Sequence, residues 1–133
     1  MQRWLGRWSE QAYALLRFVS GALFACHGAQ KLFGALGGHQ MLNDPKMLTA
    51  GIIEFVGGLL IAVGLLASFA AFLASGEMAV GYFQVHAPNG FWPILNKGEL
   101  AVVYCFLFLY IAARGSGPYS IDGLRGAGGS ARR

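Results

Sequence analysis

The chain has 133 residues, of which 56% are hydrophobic and only 12% charged, with a net charge of +4. Soluble domains average about 25% charged residues, so the composition excludes an ordinary soluble domain and points to a membrane protein. The excess positive charge gathers at the two ends, which topology explains, and the C-terminal "GAGGSARR" has no aromatic platform beside it, which argues against a nucleic-acid partner.

A helix needs about 20 predominantly apolar residues to cross a bilayer. Four runs approach that length, at about residues 13–33, 49–66, 69–86 and 97–113. The first is interrupted by Arg17 and lacks a small-residue cleavage site, so it reads as a retained helix and not as a signal peptide. Little more than Ala67 and Ser68 separates the second run from the third, which requires a tight helical hairpin. The segment "PNGFWP" reads as an interfacial turn anchored by Trp92. Residues 118–133 read as a basic cytoplasmic tail, with "GAGGSARR" its disordered end.

Lysine and arginine placement sets the expected orientation. Arg3, Arg7 and Arg17 precede or open the first run, and Arg114, Arg125, Arg132 and Arg133 follow the last, while Lys31, Lys46 and Lys97 fall on the opposite side. The expected fold class is therefore all-α, a transmembrane four-helix bundle with N and C termini cytoplasmic. It forms one domain over residues 1–133, a multi-pass protein of the cytoplasmic (inner) membrane.

The polar residues inside these runs are the candidate site. On helical spacing Arg17, Ser20, Phe24, His27, Gly28 and Lys31 share one face of the first run, and Gln30 lies off it. Gly51, Glu54 and Gly58 share a face of the second, where glycines admit a neighbouring helix. Glu77, Gly81 and Gln84 share a face of the third. An ionised group facing lipid costs at least about 2.5–3.5 kcal/mol, so these groups should meet one another or a wet cavity. The expectation is an outward-facing intramembrane pocket, with Glu54, Glu77 and His27 in catalytic roles and Lys31, Gln30 and Gln84 binding substrate.

A plainer reading stands beside each assignment. Lys31 and Glu54 can form a helix–helix ion pair without chemistry. Arg17 lies near the inner face, where it can snorkel. His86, Asn96, Lys97 and Glu99 sit near an interface and need no function. Cys26 and Cys105 lie in apolar runs without CxxC or metal spacing, and read as two buried thiols, with a redox pair the alternative that the sequence leaves open.

Taken together, "RFVSGALFACHGAQKLFG", "GIIEFVGGLLIAVGLL", "GEMAVGYF" and "NKGELAVVYCFLFLYIAARGSGPYSIDGL" resemble the four helices of the DoxX family of small membrane proteins. The closing match uses Gly115, Gly117, Ser120, Ile121 and Asp122, with Ile121 in place of the usual leucine. The resemblance covers nearly the whole chain and implies a four-helix membrane protein. Members and relatives include the membrane subunit of an archaeal thiosulfate:quinone oxidoreductase and members of membrane-associated oxidative-stress complexes, many are uncharacterised, and related folds act as assembly factors.

Three functions are compatible with the residues. In a quinone-linked oxidoreductase subunit, His27 would hydrogen-bond the quinone and Glu54 or Glu77 would relay protons. Lys31 would stabilise a semiquinone or bind an external anion such as thiosulfate. A quinone is the cofactor this reading takes; the sequence shows no metal, flavin or haem motif, so electrons would have to enter from a partner or directly from the substrate. In a non-catalytic subunit the same polar groups would fix helix register or meet a partner. A small carrier would have to dimerise, and no inverted repeat or broken helix supports one. The expected partners are membrane lipids, and other membrane subunits or a second copy of the chain.

Overall fold

In the computed structural model residues 1–126 are described, and every regular element among them is helical. A short helix α1 (Gln2–Leu5) leads through a 3₁₀ turn, Gly6–Trp8, into α2 (Ser9–Phe33). Gly34 ends α2 in the left-handed conformation at φ 67°. α3 (Pro45–Val63) starts where the Asp44 carboxylate accepts a hydrogen bond from the Lys46 backbone N–H at 3.0 Å, with Pro45 in the first turn. Its end at Gly64, φ 72°, opens a tight turn to α4 (Ala67–Gly81), so the hairpin expected at Ala67–Ser68 turns at Gly64–Leu66.

α4 continues into a π turn, Tyr82–His86, and a 3₁₀ turn, Ala87–Asn89. The short helix α5 (Pro93–Asn96) then precedes α6 (Glu99–Arg114), and the described chain finishes with α7 (Ile121–Arg125). Helix α7 lies inside the segment read from sequence as a tail; residues 127–133, where most of "GAGGSARR" falls, lie outside the described residues.

Two helical stretches, Gln2–Phe33 and Pro45–Val63, are long and apolar enough to cross a membrane. α4, with 15 residues, and α6, with 16, are each shorter than the roughly 20 that a straight crossing helix needs. The π turn prolongs α4, and Gly98 sets where α6 begins.

α2 packs against α3, α3 against α4, and α4 against α6. Small residues make the first contact. A Cβ added to Gly21 would lie 2.5 Å from the Ala62 nitrogen, and one added to Gly58 would lie 2.5 Å from the Ala25 nitrogen. The two backbones therefore touch, as closely packed membrane helices do. On α4 the buried stripe is Ala67, Ala70, Ala71 and Ala74, at helical spacing. That smooth face lets α6 approach, and two serines hold it there. Ser68 Oγ donates to the Ala112 carbonyl, and Ser75 Oγ donates to the Cys105 carbonyl at 2.7 Å. Where α2 meets α6 the core is aromatic: Phe24 lies 4.7 Å from Phe108, which stacks on Tyr104 at 5.1 Å.

The outer surface is apolar. Leu15, Phe18, Leu23, Phe69, Phe72, Val103 and Phe106 all point outward. In water such a surface would drive aggregation; in lipid it needs no partner. Cys26 belongs to this exposed set, against the expectation of a buried thiol, because an apolar run bordered by lipid does not tell its inner face from its outer one. Cys105 is half-buried, and both thiols are free.

Candidate functional site

The polar cluster forms where three helices meet. Lys31 lies in the last turn of α2, Glu54 in the middle of α3 and Glu77 in the second half of α4. Lys31 Nζ and Glu54 Oε1 form an ion pair at 2.7 Å, with the Glu54 side chain almost fully enclosed and that of Lys31 21% exposed. The position of Lys31 also suits the negative end of the α2 dipole. The Glu77 carboxyl adjoins that of Glu54, with Lys31 the nearby cation. Glu77 Oε1 is buried and has no hydrogen-bond partner among the described residues. One lysine thus stands against two carboxyls where the helices meet, and one oxygen of the second carboxyl is left without a donor among the described residues.

His27 sits one turn below Lys31 on the same face of α2. Its ring lies edge-on to Tyr104, with centroids 6.2 Å apart. Through Tyr104 it adjoins the Phe24–Phe108 core. Tyr104 carries no signal in the sequence: it is one of two tyrosines in "AVVYCFLFLY", and nothing tells it from Tyr110 until α6 is placed against α2.

Two expected members are elsewhere. Gln30 turns away and donates from Nε2 to the Leu36 carbonyl at 3.0 Å, bridging the α2–α3 loop. Gln84 is exposed. It shares a face with Glu77 only if the α-helix continues, and the π turn over Tyr82–His86 inserts residues at a wider spacing that rotates it outward. His86 makes a 3.2 Å contact from Nδ1 to the Asn96 carbonyl oxygen. Asn96 is itself buried: its Nδ2 donates to Tyr82 Oη at 3.0 Å and to the Gly90 carbonyl at 2.6 Å, and its Oδ1 accepts from the Gly98 N–H at 2.8 Å. It is the fastener of the loop before α6.

Arg17 is the larger departure. It does not snorkel; only 2% of it is exposed. Nε donates to the Ile61 carbonyl at 3.0 Å, Nη2 to the Tyr119 carbonyl at 2.8 Å, and Nη1 to the carbonyls of Ser116 and Pro118. The guanidinium is thus a tie between α2, the end of α3 and the loop after α6. Asp122 completes the tie: Oδ2 accepts from the Leu66 N–H and from Ser116 Oγ, both at 2.7 Å, and its own N–H donates to the Gly64 carbonyl at 2.9 Å. Tyr119 holds φ 57° to present its carbonyl, a conformation that costs about 1–2 kcal/mol.

Grooves lie near this Arg17 end and along the lipid-facing sides. One of about 590 Å³ is lined by Gln11, Leu15, Arg17, Phe18, Val63 and Tyr119 among others. Another of about 940 Å³ runs over Glu10, Arg114, Ser116 and Asp122. No group of three or more His, Cys, Asp or Glu side chains that could hold a metal ion occurs among the described residues.

The family model of DoxX matches residues 12–87. The chain belongs to the DoxX family. The matched segment of this DoxX protein runs from the first turn of α2 past the π turn, so it contains His27, Lys31, Glu54 and Glu77 together. An uncharacterized protein of Haemophilus influenzae is 42% identical over 116 residues, covering 82% of this DoxX chain and 87% of its own length. No solved structure matches it. Membership of DoxX and the two long apolar helices make this a membrane protein.

Proposed function

We propose that the chain crosses the inner membrane four times with both termini in the cytoplasm, and that it is the membrane subunit of a quinone-linked redox system. The outward-facing leucines, valines and phenylalanines of α4 and α6 support two further spans beside α2 and α3. The arginine-rich Arg17 end supports the orientation.

The observation that carries the redox reading is the buried, unpartnered Oε1 of Glu77 beside the Lys31–Glu54 pair. Reducing a quinone to a quinol consumes two electrons and two protons. A carboxyl with one oxygen buried and unpartnered between helices is suited to deliver one of them. Lys31 would offset negative charge developing on a bound ring, and His27, held against Tyr104, would donate a hydrogen bond to a ring oxygen. Electrons would come from a partner subunit or from an external reductant.

A second reading has its own support. Lys31 and Glu54 already pair with each other at 2.7 Å within the fold. A self-paired cluster suits a non-catalytic subunit in which Lys31, Glu54 and Glu77 fix helix register inside a larger assembly.

The two readings separate in membrane vesicles carrying the native assembly, assayed for reduction of a short-chain ubiquinone. Glu54→Gln and Glu77→Gln each keep the side-chain shape and should cut the rate by about a hundredfold, with insertion and partner recovery unchanged. Undiminished quinone reduction in both variants, with the assembly intact, would leave only the structural reading.

A further inference from the structure

The helical run that contains α2 spans Gln2–Phe33, 32 residues. At 1.5 Å per residue this is roughly 48 Å, well beyond a hydrocarbon core of about 30 Å. With the inward-facing Arg17 end on the cytoplasmic side, the excess length places its first turns at headgroup depth. Those turns have two distinct faces. Trp4 and Trp8, four residues apart, are 73% and 52% exposed, with Leu5 beside them at 59%. Arg3 and Arg7, also four residues apart, flank that stripe and are exposed, with no ion-pair or hydrogen-bond partner for either side chain among the described residues. The Arg7 guanidinium lies 5.6 Å from the Trp8 ring centroid. Residues 1–8 contain no acidic side chain, and the nearest one, Glu10, is already paired with Arg114 at 2.7 Å.

An indole stripe beside an unpaired arginine stripe, joined rigidly to a spanning helix, matches one surface: apolar at acyl depth and negative at headgroup depth. We propose that residues 1–8 form a binding collar for anionic phospholipids, which recruits them from the surrounding bilayer. The occupant follows from charge complementarity. Two free guanidinium groups require phosphate-bearing headgroups that lack a compensating amine, and the exposed indoles require the glycerol–acyl boundary beneath them. The inference stands apart from the redox proposal, because none of these residues belongs to the carboxyl cluster.

The chain carries its own control: its three tryptophans are Trp4, Trp8 and Trp92, and Trp92 lies beyond the π turn at the other end of α4. The full-length Trp92→Phe variant, reconstituted in nanodiscs, would be titrated with brominated phosphatidylglycerol or brominated phosphatidylcholine while tryptophan fluorescence is read. The expected result is half-maximal quenching at a lower mole fraction of the anionic lipid. That preference should fall about fivefold for each of Arg3→Gln and Arg7→Gln, and should persist in Arg3→Lys/Arg7→Lys. Equal quenching by the two lipids would overturn the proposal. So would an anionic preference untouched by Arg3→Gln/Arg7→Gln, or one of equal size at Trp92 in a Trp4→Phe/Trp8→Phe chain.

Discussion

Lys31 and Glu54 join the last turn of α2 to the middle of α3 through a 2.7 Å ion pair, and Glu54 has almost no contact with the outside. Removing one partner of such a pair costs more than the pair itself contributes, because a buried charge is left alone. Lys31→Met should destabilise the protein by about 3 kcal/mol. The double variant Lys31→Met/Glu54→Gln should recover a large part of that loss. Thermal unfolding in detergent for the two singles and the double measures the coupling, and strict additivity would contradict it.

Among the described residues Arg17 has no carboxylate partner; its hydrogen bonds run to four backbone carbonyls. A lysine presents three donors from a single point and cannot span acceptors on α3 and on the loop after α6. Arg17→Lys should therefore cost about 2–4 kcal/mol, the scale of leaving buried acceptors unmet around a buried charge. Its signature is local: amide exchange should quicken in residues 115–125 before it does in α4. Uniform protection with an unchanged melting temperature would count against the tie.

The α2–α3 contact gives a paired test. Gly21→Ala and Gly58→Ala place a methyl group against the facing backbone, and each should cost about 1–3 kcal/mol as the helices move apart. Gly57 and Gly76 have nothing within 4 Å of an added Cβ. Alanine there should be neutral, or more stable by up to about 1 kcal/mol from helix propensity alone. Melting temperatures of the four variants should fall into these two groups.

Asn96 satisfies three separate groups around the loop before α6. Asn96→Ala removes a buried donor and acceptor together and should cost about 1–3 kcal/mol. Hydrogen exchange over residues 87–98 should rise while α2 and α3 stay protected.

Much of this was legible from residue type and spacing. The stripe from Arg17 to Lys31 predicted which face of α2 turns inward, and Gly58 predicted where α3 would lie against it. The meeting of Lys31 with Glu54 follows from their shared depth once both faces are known. Gln84 was misplaced because a π turn leaves no trace in hydrophobic periodicity; it is visible only when the backbone of Tyr82–His86 is drawn. Arg17 was misread because its partners are main-chain carbonyls, which every residue has and no sequence advertises. Asp122 was noticed only through the resemblance of its surroundings, and its role emerged when Leu66 and Ser116 came within reach.

The Arg17 tie also orders events at the translocon. Its acceptors Ser116 and Tyr119 lie 99 and 102 residues further along the chain, and chains emerge from the N-terminus at about 5–20 residues per second. For several seconds at those rates the guanidinium exists before most of its carbonyl partners have been made. During that interval water or another polar group must meet its unmade hydrogen bonds. The tie that joins α2, α3 and the loop after α6 can therefore close only after residues 116–119 have been made.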